Sequence, residues 1–264
     1  MKSIPCVLTI AGSDSGAGAG VQADIRTIQA LGGFALTALT AVTAQNTRGV
    51  QAWSPVAPRL LAAQLQSVGE DFPVAAIKTG LLPCAAAIRV VVAALARHPG
   101  IPLVVDPVIG STTGTRFLSA AGIRILRRDL LPLATLVTPN WPEAAELAGR
   151  PVRTWSEAEH AGRELAATTD TAILVKGGHG PGATCRDCLV LADGTIRWFA
   201  HRKIATRNTH GTGCVLSAAI ATGMAQGLSL PGAVTQARAF LRRALLAGRY
   251  LRRGAGTGAA FPGI

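Results

Sequence analysis

The sequence predicts an α/β fold: a three-layer α/β/α sandwich around a mainly parallel central sheet, with a short terminal β-hairpin element. Three observations carry that prediction. Short apolar runs alternate with helix-length segments along most of the 264 residues, the pattern of crossover units that cover both faces of a parallel sheet. Several runs end in small or polar residues, where ligands gather in open α/β sheets. One late pair of runs, separated by Asp193-Gly194, reads instead as a hairpin. Nothing resembles an interdomain linker or an internal repeat. Residues 1–253 are therefore expected to form one domain, followed by a flexible Gly/Ala-rich tail over 254–264.

The elements follow in order. Val7, Leu8, Thr9 and Ile10 predict a buried strand that runs into a small-residue loop, Ala11 to Gly20. A helix is expected over 21–31, stopped by Gly32-Gly33, and a strand over 34–43. Residues 49–56 suit a short strand in a small lid or dimer sheet. Pro58 opens a helix over 59–68. Ala75 to Gly80 is a strand, 84–97 an apolar helix, and Leu103-Val104-Val105 a strand ending in Asp106-Pro107. A helix over 120–131, the strand Leu136-Val137, and a helix opened by Pro142-Glu143 come next. Residues 156–168 form a helix with Ser156 as cap and Glu159 as its capping-box partner. Ala172 to Val175 is a strand ending in Lys176. After the hairpin, two helices span 213–227 and 230–252.

Composition narrows the function. A hydrophobic share of 49% and a mean hydropathy of +0.35 describe a globular chain. No apolar run is long enough to span a bilayer, and the N-terminus lacks a signal peptide, so a cytoplasmic protein without membrane partners is expected. The net charge of +12 raises the question of nucleic acid. The arginines are scattered, however, and aromatics make up only 4% of the chain, too few for a base-stacking platform. A solvated basic face on the last helix explains the charge better. The five cysteines are expected as reduced thiols. Cys185 and Cys188 form a CxxC without a second ligand pair, a weak signal for zinc or redox chemistry.

Two common nucleotide fingerprints are missing. Gly16-x-Gly18-x-Gly20 is not GxGxxG, and no carboxylate ends the second strand, which excludes a dinucleotide-binding unit. No GxxxxGK[ST] is present. The most informative stretch is instead Asn208-Thr209-His210-Gly211-Thr212-Gly213-Cys214, followed by a buried helix. Gly211 and Gly213 would leave a row of N–H groups at a helix N-terminus, an anion site. A thiolate at Cys214 would be favoured there. Asp14, Gln45, Asn46, Lys78, Asp106, Asn140, Glu143 and Lys176 follow strands and are expected to face this loop across one cleft. Taken singly, each also reads as a cap or turn residue. Together they suit phosphoryl transfer: Gly211, Thr212, Gly213 and Cys214 as anion hole, Lys176 as cation, Asp106 and Glu143 as hard ligands for Mg²⁺.

Read in order, the motifs resemble those of the hydroxymethylpyrimidine/phosphomethylpyrimidine kinases of thiamine biosynthesis, in the ribokinase-like superfamily. They are Ala11 to Gly18, Gln22-Ala23-Asp24, Thr43 to Thr47, Val105-Asp106-Pro107-Val108, Thr138-Pro139-Asn140-x-Pro142-Glu143, Val175 to His179 and Asn208 to Cys214. The resemblance spans roughly residues 6–250. It implies ATP-dependent phosphorylation of 4-amino-5-hydroxymethyl-2-methylpyrimidine and then of its monophosphate, with Mg²⁺, in a homodimer that pairs through the 45–56 region. It implies that Gln45 reads the aminopyrimidine edge and that Gly12, Ala19, Asp24, Leu81 and Val108 line the substrate pocket. Asn140, Lys176, Thr209 and Gly211 would contact nucleotide, Asp106 and Glu143 the metal, and Cys214 would act as base. Leu81, the segment 109–112 and Arg238 depart from the family pattern. Alternatives are a vitamin B6 kinase on the same fold and a non-catalytic pyrimidine-binding regulatory domain.

Overall fold

The computed structural model describes residues 4–111 and 114–262. Thr112, within one of the departures noted above, lies outside them. The chain runs β1 (Cys6–Asp14), α1 (Gly20–Ala30), β2 (Phe34–Asn46), β3 (Gly49–Pro55), α2 (Pro58–Asp71), β4 (Val74–Thr79), α3 (Ala85–Leu95) and β5 (Leu103–Val105). It continues through α4 (Ala120–Ile125), β6 (Leu136–Val137), α5 (Trp141–Ala148), α6 (Trp155–Thr169), β7 (Ala172–Val175), β8 (Thr184–Val190), β9 (Ile196–Arg202), α7 (Thr212–Ala225) and α8 (Leu230–Gly248). The strands form one sheet in the order β3-β2-β1-β4-β5-β6-β7-β8-β9. The inner strands β2, β1, β4, β5, β6 and β7 are parallel; β3 at one edge and the β8–β9 hairpin at the other are antiparallel.

Alternation along each strand builds the two cores. On β5, Leu103 and Val105 face one side and Val104 the other. On β7, Ile173 and Val175 pack with the former, Ala172 and Leu174 with the latter. Helices α2 to α6 cover the first face, and α1, α7 and α8 cover the second. This is the expected three-layer sandwich.

Local differences from the sequence reading have physical causes. β1 does not stop at Ile10. Its small residues continue alongside β2, with Ser13 paired to Val42 and Asp14 to Thr43 after a register shift. The cap of α6 is Thr154, not Ser156, and its box partner is Glu157 rather than Glu159. Trp155 is drawn into the helix because its ring packs edge-on against Trp141, centroids 5.0 Å apart. Helix α8 ends at Gly248, four residues early. There the Asn208 carboxamide donates to the carbonyls of Gly248 (2.5 Å) and Leu251 (2.8 Å), satisfying terminal acceptors.

The glycine-rich segment after α8, expected as a flexible tail, docks along the molecule as far as it is described. Gly256 and Thr257 donate backbone N–H groups to the Thr47 hydroxyl and carbonyl, and Ala260 is buried. His210 donates its backbone N–H to Gly258 and accepts one from Ala260. Glycine suits this path because side chains at Gly256 or Gly258 would collide with Thr47 or Asn208.

Candidate active site

The C-terminal ends of the parallel strands open on a cleft of ≈ 460 Å³. Its centre is the loop before α7. Gly211 is the helix N-cap, with φ +76°. A Cβ there would collide with the Gly18 carbonyl, so only glycine fits both the angle and the space. A Cβ on Gly213 would stand 3.2 Å from Lys176 Nζ and 3.3 Å from Asp106 Oδ2. The first-turn amides of α7 thus lie against a charged cluster.

That cluster combines three elements. Lys176, just past β7, donates to Asp106 Oδ1 at 2.7 Å and lies 3.7 Å from Glu143 Oε2. Asn140 and Glu143 form the capping box of α5: Glu143 donates its N–H to Asn140 Oδ1 at 2.9 Å, and Asn140 donates its N–H to Glu143 Oε2 at 2.7 Å. Burial raises the Glu143 carboxyl to about 7, with Asp106 adding to it and Lys176 opposing. Burial would lower the Lys176 ammonium, but Asp106 and Glu143 outweigh it and hold it above the ordinary value. The residues that the sequence offered both as cap and as ligand form the cap of α5, and Glu143 also faces Lys176.

Of the residues expected in the substrate pocket, Gly12, Ala19, Gln45, Leu81 and Val108 line the cleft. Phe117, which the sequence did not flag, adds an apolar wall with Leu81, backed by Trp53 edge-on at 5.6 Å. Ser15 Oγ accepts from the Gln45 N–H and donates to its carbonyl, both at 2.8 Å, fixing the backbone of Gln45. Thr209, Thr212 and Asn140 also border the cleft.

Asp24 does not line it. It is fully buried, 2.7 Å from Lys78, and accepts from Thr9 at 2.6 Å. Burial raises its carboxyl. For Lys78, burial works against the charge, yet Asp24, Cys214 and Asp106 hold its ammonium above the ordinary value.

Cys214 borders the cleft, but the expected resting thiolate is not favoured. Burial pushes its thiol up to about 12, against the lowering effects of Lys78 and of the Gly20 N–H that donates to the sulfur. The helix terminus therefore does not overcome desolvation. Cys185 and Cys188 also separate: three residues apart on a strand, they face opposite sides. Cys185 borders the cleft and Cys188 is buried in the core. Among the described residues no cluster of three or more His, Cys, Asp or Glu side chains could hold a metal. Arg238, expected on a solvated face, turns inward. Its Nε donates to Asp187 at 2.6 Å and its Nη2 to the Phe199 carbonyl at 3.1 Å.

Residues 14–259 match the family model described as phosphomethylpyrimidine kinase. This chain belongs to the phosphomethylpyrimidine kinase family. It is 45% identical to the hydroxymethylpyrimidine/phosphomethylpyrimidine kinase of Rhizobium meliloti, over 95% of this chain and 94% of that one. The structure of the phosphomethylpyrimidine kinase from Clostridium difficile superposes with a TM-score of 0.80 at 34% identity, covering 91% and 99% of the two chains. The pyridoxal kinase from Staphylococcus aureus, solved with ADP, gives 0.91 at 29% identity, covering 99% and 94%. The family resemblance read from the motifs is therefore met along nearly the whole chain. No described helix is long and apolar enough to cross a membrane.

Proposed function

We propose that this member of the phosphomethylpyrimidine kinase family transfers the γ-phosphoryl group of ATP to 4-amino-5-hydroxymethyl-2-methylpyrimidine, and a second one to the monophosphate. The observation that carries the proposal is the continuity of the cleft. An apolar subsite with one amide, where Gln45 joins Gly12 and Leu81 in the lining, shares one cleft with the α7 amides and the Lys176 cluster. A flat, polar-edged ring fits the first part and phosphates the second.

In the first transfer the substrate hydroxyl oxygen attacks the γ-phosphorus, and the bond to the bridging oxygen of ADP breaks. The α7 amides and Lys176 meet the charge on the transferred group and the leaving phosphate. Asp106 and Glu143 are hard oxygen donors near that path, and two carboxylates suit a Mg²⁺ ion held mainly by water and phosphate oxygens. When bound, that ion neutralises phosphate charge. A neutral Cys214 thiol can orient the hydroxyl, because a loose transition state does not require the proton to leave first. As the new O–P bond forms, the hydroxyl proton passes to an oxygen of the transferred phosphoryl group and from there to solvent. In the second transfer the acceptor is already an anion.

Incubation with ATP and the hydroxymethylpyrimidine tests this by counting phosphates on the product. Monophosphate followed by diphosphate is expected. Turnover of pyridoxal with neither pyrimidine product would instead support the vitamin B6 reading. Cys214→Ala is expected to lower kcat while ligand binding persists. A homodimer through the exposed β3 edge strand belongs to the same proposal, and sedimentation tests it.

A further inference from the structure

One nitrogen in the site has two partners with conflicting demands. His210 Nε2 lies 2.9 Å from Asp14 Oδ2 and 2.9 Å from the amide nitrogen end of Gln45. A ring nitrogen carries either a proton or a lone pair. Asp14 decides which. Its Oδ2 accepts backbone N–H groups from Ala19 (2.8 Å) and Gly18 (3.0 Å), and Oδ1 accepts one from Gly16 (2.8 Å). Burial alone would raise this carboxyl, but the His210 and backbone donors outweigh it and hold it below the ordinary value. Asp14 is thus an anion, and a bare Nε2 would set lone pair against lone pair. Nε2 must carry the proton, donated to Asp14 with the Gln45 carboxamide as the second neighbour of a three-centre bond.

A protonated Nε2 cannot face an NH₂ group. The nitrogen and oxygen of a carboxamide are nearly equal in shape, and their assignment follows the hydrogen-bond network. We infer that His210 is a positioning residue, which turns the Gln45 oxygen toward itself and so presents the Gln45 NH₂ group to the substrate. The ring of His210 is itself held. A Cβ at Gly18 would collide with it, and its backbone is paired on both sides to the docked C-terminal segment.

This inference rests on the proposed function, in which Gln45 meets the pyrimidine edge. A 4-aminopyrimidine offers a ring nitrogen acceptor beside an amine donor. The fixed amide matches that order: its NH₂ donates to the ring nitrogen, and its oxygen accepts from the amine with its second lone pair. A 4-oxo analogue offers a ring N–H beside a carbonyl, the reverse order. With the amide locked, two donors and two acceptors would then face each other.

The test compares phosphorylation of the 4-amino and 4-oxo 5-hydroxymethyl-2-methylpyrimidines. The wild type is expected to prefer the amino compound by about 10²-fold or more in kcat/KM. His210→Leu should bring the ratio to within about tenfold of unity, chiefly through the pyrimidine KM, with KM for ATP little changed. His210→Gln, which restores an N–H donor, should recover part of the preference. An unchanged amino/oxo ratio in His210→Leu, with kcat lowered equally for both, would overturn the inference. Nitrogen NMR of the wild type gives a second readout that needs no variant. A protonated Nε2 on His210 supports the network, and a bare one refutes it. Failure of the wild type to phosphorylate the amino compound would count against the proposed function, while the NMR spectrum still decides the network.

Discussion

Two lysine–carboxylate pairs sit at the ends of parallel strands, with the same 2.7 Å separation and different surroundings. Lys78 and Asp24 are both 0% exposed. They are matched one to one, with Thr9 completing part of the shell and one Asp24 oxygen left without a partner. Lys176 is 14% exposed and faces two carboxylates, Asp106 and Glu143, at the open cleft. Asp24 lies off the cleft, whereas Lys78, closed to solvent, still borders it. The pair fixes a positive charge beneath Cys214 and ties α1 to β4. The open cluster has an excess carboxylate and a partly buried ammonium at the cleft. Equal geometry therefore does not mean equal role; the solvent and the charge count decide it.

The largest effect that could break this contrast is on stability. Lys78→Met leaves Asp24 buried and unpaired, and should cost about 3–5 kcal/mol in denaturant unfolding. Asp24→Asn added to it should return much of that. A cost near that of a surface change would mean that the pair is not sealed. Lys176→Met should act on catalysis instead: kcat should fall about 10²–10³-fold, or about 2.7–4 kcal/mol in the barrier, with a much smaller change in folding. A stability loss matching that of Lys78→Met would erase the distinction.

Cys214 sharpens the contrast, since it lies above the sealed pair. With its thiol at about 12, alkylation by iodoacetamide should stay slow at neutral pH. The rate should climb as pH passes the ordinary cysteine range, because only the thiolate reacts. A plateau below pH 9, followed by mass spectrometry at that residue, would restore the resting thiolate. The smallest effect belongs to an exposed pair. Arg116 donates to both Glu146 oxygens at 2.8 and 3.0 Å, yet the side chains are 50% and 40% exposed. Glu146→Gln should cost no more than about 1 kcal/mol, and less at high salt.

Much of this was legible in sequence. The alternation of apolar runs and helices gave the layers, and the polar strand ends gave the cleft, because both depend on local order and on where parallel strands terminate. The Asn208–Cys214 stretch marked the centre of the site for the same reason: glycine angles and helix starts are local properties. The errors cluster where distant groups compete. Ser156 was a sound local cap, but packing of Trp155 on Trp141 moved the helix start back to Thr154. Asp24 carried a site motif, yet Lys78 on β4 pairs with this α1 residue and keeps it off the cleft. The tail looked loose by composition, although glycine is what lets it pass Thr47 and Asn208 closely.

The sequence by itself determined the layered fold and most of the side chains that border the cleft, through periodicity and the position of strand ends, and its motifs carried the resemblance to the family. Phe117 and the place of Asp24 were not among what it determined. Only the tertiary structure decided the states of the site's side chains. It made Cys214 a buried thiol, split the two lysines between a sealed strut and an open cluster, and put His210 between Asp14 and Gln45 across gaps of 196 and 165 residues. Desolvation and proton sharing depend on everything within a few ångströms, and those neighbours come from segments that no local pattern connects.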